Sequence, residues 1–129
     1  LNIEKKNPSI LVIEDSEDSR ALVELALQDE NYDVITASTG LEALELLEEG
    51  ACPDLILLDL SMPEMPGEEF MLELRKHEHC SHSKVIVVSG WDDVAKRAQD
   101  MGATGYLRKP FDLRVLAREV RRQLLTLAD

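Results

Sequence analysis

From Ser9 onward, short unbroken apolar runs alternate with longer stretches whose apolar residues recur every three or four positions. The runs Ser9–Ile13, Asp33–Ala37, Asp54–Leu58 and Lys84–Val88 read as strands, and Thr104–Leu107 as a fifth, weaker one. An uninterrupted apolar strand is expected to be buried on both faces, because neighbouring side chains point to opposite sides of a sheet. Leu22, Leu25, Ala26 and Asp29 mark one helical face between Glu17 and Asn31. Thr39-x-x-Glu42 is a capping box opening a second helix, with Ala43, Leu44 and Leu47 inward and Gly50 as its stop. Phe70, Met71 and Leu74 set a third stripe, and Val94, Ala98 and Met101 give a short fourth helix. The histidine-rich segment His77–His82 reads as a loop. Leu113, Leu116, Val120, Leu124 and Leu127 complete a final amphipathic helix. Five such strand–helix units predict an α/β fold, a doubly wound and mostly parallel sheet with helices on both faces.

In open parallel sheets, ligands bind in the crevice outside the carboxyl ends of the strands. The polar residues of interest fall there: Glu14 and Asp15 after the first strand, Asp59 after the third, Ser89 and Gly90 after the fourth, and Lys109 after the fifth. A carboxylate ending a buried strand is costly unless something pairs with it. Three clustered carboxylates also raise one another's pKa unless a cation intervenes. An all-oxygen donor set without room for a full cage suits Mg²⁺, which keeps several waters and takes one or two carboxylates plus phosphate oxygens. A carboxylate beside Mg²⁺ can attack phosphorus and form an aspartyl-phosphate. Such transfer needs positioning and charge neutralisation, which the Lys109 ammonium helps to supply, and the Ser89 hydroxyl can hydrogen-bond a phosphoryl oxygen. Asp59 is the candidate nucleophile, since its strand is central and Glu14 and Asp15 already form a metal-holding pair. Taken singly, Glu14-Asp15 reads as an acid pair facing a helix N-terminus and Lys109 as a solvated strand-end charge. Five such residues in register favour one shared site.

Residues 9–128 resemble the receiver domain of two-component response regulators. The resemblance rests on Glu14-Asp15, on Asp59 followed by Met62-Pro63 and Pro66-Gly67, on Ser89-Gly90, and on Tyr106-x-x-Lys109-Pro110-Phe111, all in order. It implies a flavodoxin-like (βα)₅ fold with strand order 2-1-3-4-5. It also implies phosphoacceptance on Asp59 from a phosphohistidine of a histidine kinase or histidine phosphotransfer protein. Mg²⁺ would be held by Asp15 and Asp59, with Glu14 acting mostly through water and the Ser61 backbone carbonyl as a further ligand. Ser89 and Tyr106 would move together as a switch read by a downstream output protein or domain. Ser89 stands where many members carry threonine and keeps the hydroxyl. Trp91 is bulkier than the common choice and is expected to shield the phosphoryl group from water. Thr104-Gly105 lacks the acids of one known dimer mode, so a monomer or weak homodimer is expected.

Composition narrows the classes further. The 129 residues, 44% hydrophobic and 31% charged, suit one soluble domain: 1–8 as an N-terminal extension and 9–129 as the receiver unit. The chain opens on Leu1 instead of Met and reads as a trimmed or excised piece. A formal net charge of −12 argues against direct contact with nucleic acid, whose phosphates demand a basic surface. The charge is uneven, net −15 over residues 1–100 and +3 over 101–129. The basic end reads either as a solvated helix face suited to its dipole or as a contact surface for an acidic partner. No apolar stretch approaches a membrane span and no signal peptide precedes the first strand. The two cysteines, Cys52 and Cys80, lack CxxC spacing, which fits a reducing cytoplasm and argues against a disulfide framework.

Three alternatives stand beside this reading. A small aspartate-dependent phosphohydrolase would use the same nucleophile, but Asp59-Leu60-Ser61 lacks a second acid two residues on. A receiver-like scaffold could signal without phosphorylation, although the residue set is complete. His77, His79, Cys80 and His82 superficially suggest a transition-metal site, yet their spacing matches no zinc pattern and a polar loop is the plainer account.

Overall fold

The structure, a computed structural model, describes residues 7–62, 64–80 and 82–125. Five strands, β1 (Ser9–Ile13), β2 (Asp33–Ala37), β3 (Leu55–Asp59), β4 (Lys84–Ser89) and β5 (Gly105–Arg108), form one parallel sheet in the order β2-β1-β3-β4-β5. The connecting helices are α1 (Glu17–Asp29), α2 (Gly40–Glu48), α3 (Gly67–Lys76) and α4 (Val94–Asp100), and α5 (Leu113–Leu125) closes the fold. This is the flavodoxin-like doubly wound architecture that the alternation of runs and stripes predicts.

The two-residue period of each strand divides the core between two layers. Leu11, Ile13, Ile56, Leu58, Val85 and Val87 pack on one side against α2, α3 and α4, through Ala43, Leu47, Phe70, Leu74, Val94 and Ala98. Their neighbours Ile10, Val12, Leu55, Leu57, Ile86 and Val88 pack on the other side against Val23 and Leu27 of α1 and Leu116 and Val120 of α5. Burying both faces of the central strands is what requires continuous apolar runs.

Several local expectations change. The inward face of α1 is Val23 and Leu27; Leu22 and Leu25 are 58% and 59% exposed. Two overlapping stripes can be drawn through this leucine-rich helix, and only the sheet chooses between them. Strands β3, β4 and β5 run one residue beyond the predicted ends, so Asp59 and Ser89 are themselves strand residues. Thr39 caps α2 by accepting from the Glu42 amide at 3.0 Å, but the Glu42 carboxylate accepts from the Ser38 hydroxyl at 3.0 Å, so the reciprocal half of the predicted box goes to a neighbour. In the predicted histidine loop, Glu78–Cys80 forms a 3₁₀ turn that buries Cys80 completely.

On α5 the inward stripe includes the polar Gln123, which is buried and donates from Nε2 to the Thr104 carbonyl at 2.9 Å. Gly105 makes this approach possible, since a Cβ there would sit 2.7 Å from the same nitrogen. The basic residues of α5 are largely engaged at the surface, Arg121 with Glu30, Arg122 with Glu119, and Arg114 with Asp112. Leu127, Pro63 and residues 1–6 of the predicted extension lie outside the described residues.

The layer assignment of α1 is testable. Leu27→Ala should cost about 2–5 kcal/mol in urea unfolding, as for a fully buried leucine, whereas Leu25→Ala should stay within about 0.5 kcal/mol of wild type.

Candidate functional site

The parallel register aligns the strand ends that matter. Ile13 pairs with Leu58, so Glu14 and Asp59 follow side by side, and Ser89 pairs with Arg108, so Lys109 comes one residue later. Pairing extends past the strands themselves: the Glu14 amide donates to the Ala37 carbonyl at 3.1 Å and the Lys109 amide to the Ser89 carbonyl at 2.9 Å. Ile13 and Leu58 belong to the α2–α4 layer, while Leu107 belongs to the α1–α5 layer. By alternation, Glu14, Asp59 and Lys109 all turn toward the α1–α5 side, and they meet there.

The Lys109 ammonium donates to Glu14 Oε1 at 3.0 Å and to Asp59 Oδ2 at 2.9 Å. The other Asp59 oxygen, Oδ1, accepts from the Ser61 amide at 2.9 Å and the Ser61 hydroxyl at 2.7 Å. With only 3% of Asp59 exposed, this carboxylate is buried and held on both oxygens. Glu14 accepts at Oε2 from the Ser16 amide at 3.1 Å, and its carbonyl accepts from Arg20 at 2.9 Å. Asp15 lies at the exposed mouth, with a carboxylate oxygen that falls within a 4.8 Å cluster formed with Glu14 and Asp59. These are hard oxygen donors in a group that could hold a metal ion.

Burial and the cation set the charge state together. Burial pushes Glu14 up to about 7, and a hydrogen bond shared with Asp59 adds to the rise. Burial acts against the Asp59 charge as well, but the hydrogen bonds from Glu14, Ser61 and Lys109 outweigh it and hold Asp59 below the usual carboxylate range. For Lys109, burial opposes the charge and the two carboxylates more than restore it, leaving its pKa raised. Of the two acids, Glu14 is therefore the one that holds a proton more readily and Asp59 the one that ionises first, facing the ammonium. An ionised carboxylate is the form a nucleophile requires.

Ser89 is fully buried, and its hydroxyl accepts from the Trp91 amide at 3.0 Å. Trp91 itself is 69% exposed. Tyr106, on β5, is 48% exposed. Ser61 contributes its amide and hydroxyl to Asp59, contacts that a reading limited to its carbonyl did not foresee. Nothing in the pattern flagged Arg20 either, whose role follows from α1 starting just beyond Glu14.

Beside the cluster a mostly apolar cleft is lined by Leu22, Val23, Phe111 and Leu113, with Glu14 and Lys109 at its edge. It escapes the sequence reading because Leu22 is assigned there to the core. The Lys109–Pro110 peptide at its rim is cis. No cysteine–histidine metal cluster forms among the described residues; His77 and His79 instead pack edge to face, 5.9 Å between centroids.

With this sheet order and this site, the chain belongs to the response regulator receiver domain family, whose pattern matches residues 10–121. It is accordingly a receiver domain of two-component signal transduction, a family that works as a signalling switch. It is 39% identical over 119 residues to the sensor kinase CckA of Brucella abortus, covering 90% of this chain and 12% of that protein. The chemotaxis response regulator CheY4 of Vibrio cholerae superposes with a TM-score of 0.83 at 32% identity, covering 91% of this chain and 98% of that one. The receiver domain of the sensor histidine kinase PA1611 of Pseudomonas aeruginosa, solved with a magnesium ion coordinated in its active-site cleft, gives a TM-score of 0.80 at 25% identity, covering 91% and 97%. The chain spans half or less of the length of the curated relatives it matches. No helix among the described residues is long and apolar enough to cross a membrane.

The raised Glu14 has a consequence for stability. A folded-state pKa of about 7 against an ordinary 4.5 contributes stability that is complete below pH 4.5 and is lost as pH rises through 7. Gln at this position cannot ionise and keeps the contribution. In metal-free buffer, Glu14→Gln should therefore gain about 3 kcal/mol on wild type between pH 4.5 and pH 8, read from denaturant unfolding at each pH.

Proposed function

We propose that Asp59 accepts a phosphoryl group from the phosphohistidine of a histidine kinase or phosphotransfer protein, and that the modified domain then presents an altered face to an output partner. One observation carries this reading: a buried Asp59 is held between Ser61 and Lys109, with oxygens of Glu14 and Asp15 in the same 4.8 Å cluster. Asp59 Oδ2 would attack phosphorus as the nitrogen–phosphorus bond of the donor breaks and the imidazole departs. Lys109 would pass from the carboxylate to a phosphoryl oxygen, meeting charge where it accumulates. The Ser61 contacts on Oδ1 fix the carboxylate plane, so the nucleophile starts oriented.

The carboxylates of Asp15 and Asp59 and the Ser61 carbonyl would hold Mg²⁺, with Glu14 acting mostly through water. When bound, Mg²⁺ supplies Lewis-acid neutralisation of the phosphoryl oxygens. The magnesium-bound relative supports the assignment by likeness. Ser89 would release the Trp91 amide to hydrogen-bond the new phosphoryl group, and the exposed Tyr106 would move into the space this vacates. The altered surface, around Tyr106, α4 and α5, would be the one the output partner reads. Residues 9–129 would constitute this unit, preceded by an extension over 1–8. Catalysis by the domain would be limited to its own phosphorylation and dephosphorylation, in the cytoplasm that two unbridged cysteines fit. Turnover of an external phosphomonoester would instead favour the phosphohydrolase reading.

The apolar cleft supports a protein donor. Leu22 and Leu113 are exposed at its rim and lead to Lys109, so a helical donor burying them would bring its phosphohistidine to Asp59.

Two measurements check this. With acetyl phosphate and Mg²⁺, intact mass should show one added phosphate, labile to hydroxylamine and missing without the metal; equal labelling of Asp59→Asn overturns the assignment. Leu22→Lys should accept phosphate from acetyl phosphate at the wild-type rate while slowing transfer from a phosphorylated donor protein by roughly tenfold, the effect of losing about 1.4 kcal/mol of apolar contact. Equal slowing with both donors would show that the substitution disturbs the site and not the docking.

A further inference from the structure

At the opposite end of the sheet from Asp59, two segments that lead into β3 and β4 are stitched together by sulfur. Cys52 lies in the connection before β3, and Cys80 ends the 3₁₀ turn before β4. The Cys52 thiol donates to the His79 carbonyl at 2.9 Å, and the Cys80 thiol donates to the Ala51 carbonyl at 3.2 Å. Each sulfur thus rests against the peptide that leads into the other cysteine. The two thiols are near enough to influence one another electrostatically.

Neighbouring contacts hold this register firmly. The buried Ser83 hydroxyl donates to the Pro53 carbonyl at 2.7 Å, and the Lys84 amide donates to the Asp54 carbonyl at 3.1 Å. The environments of the two sulfurs differ sharply. Cys52 is exposed, whereas Cys80 is fully buried. Burial, together with Cys52, pushes the Cys80 thiol up to about 12.

We propose that Cys52 and Cys80 form a reversible dithiol–disulfide pair, with Cys52 as the sulfur that meets a hydroperoxide and Cys80 as the sulfur that resolves it. In the first step the Cys52 thiolate attacks one peroxide oxygen. A sulfur–oxygen bond forms, the oxygen–oxygen bond breaks, and the departing alkoxide or hydroxide takes a proton; Cys52 becomes a sulfenic acid. In the second step the Cys80 sulfur attacks the Cys52 sulfur, forming the disulfide. The sulfur–oxygen bond breaks, and the departing hydroxide leaves as water with the Cys80 proton. Together the two thiols give up two electrons and two protons, and hydrogen peroxide becomes two waters. A dithiol reductant reverses the bond by exchange.

The asymmetry has chemical sense. An exposed thiol alone would end in higher oxidation states or in covalent dimers. A buried partner already in register captures the sulfenic acid within the same chain, while its burial keeps it from external oxidants. The bridge would close a loop over residues 52–80, which includes β3, Asp59 and α3, and would restrict the unfolded chain accordingly.

The test treats the reduced wild-type protein with hydrogen peroxide, quenches it, and weighs it intact. The expected product is a monomer lighter by about 2 Da, in which neither cysteine alkylates after unfolding and a Cys52–Cys80 peptide is recovered. Dithiothreitol should restore both thiols. Cys80→Ala should instead trap a dimedone-reactive sulfenic acid on Cys52, and Cys52→Ser should show no mass loss. A wild-type product that gains oxygen on Cys52 while Cys80 still alkylates, or that becomes a Cys52-linked dimer, overturns the proposal.

Discussion

The Lys109 ammonium, shared between the Glu14 and Asp59 carboxylates, is the contact on which the functional end of the molecule depends. Two acids at the ends of buried strands would otherwise repel one another in a poorly solvated corner, and leaving either charge unpaired there costs several kcal/mol. One ammonium does not cancel two charges. The two acids share the strain unequally, Glu14 holding a proton more readily and Asp59 being held toward its ionised form, which favours the carboxylate of the central strand as the charged one. The same arrangement that makes the corner tolerable would therefore prepare the proposed nucleophile.

The sheet turns this local balance into geometry. Because the strands are parallel and both faces are covered, register is fixed by two layers of apolar side chains at once, and a slip of one residue would exchange them. Glu14, Asp59 and Lys109 share one parity and meet on the α1–α5 side, while Ser89 has the other parity along its strand. The nucleophile and the residue proposed to sense its modification are thus on neighbouring strands but in different layers. A change at one would be passed to the other through the strand ends, where the Leu60 amide donates to the Val88 carbonyl at 2.8 Å.

Much of this is legible in the residues themselves. The unbroken runs mark the central strands because only strands buried on both faces need them, and the acids and lysine stand out because they end such runs. What escapes the pattern is what the tertiary structure decides. Leu22 and Leu25 offer α1 an apolar stripe as good as Val23 and Leu27, and only the position of α5 and the sheet selects the second. Gln123 reads as a surface residue until Gly105 gives it a carbonyl to reach. Glu42 sits where a capping box predicts it, yet the Ser38 hydroxyl takes its carboxylate. The contacts of Ser61 and Arg20 depend on where loops end, which periodicity does not encode.

The separation along the chain of the groups that meet at Lys109 bears on how the domain comes into being. Its partners lie 50 and 95 residues away, and the strands that carry them join only through crossovers. No local segment can form the corner, and contacts of such long range are made late in folding, after loop closure has already been met by the apolar layers. During synthesis, Asp59 leaves the ribosome well before the lysine that neutralises it. A nascent or partly unfolded chain therefore carries an ordinary, solvated aspartate, and competence for chemistry arrives together with the last strand.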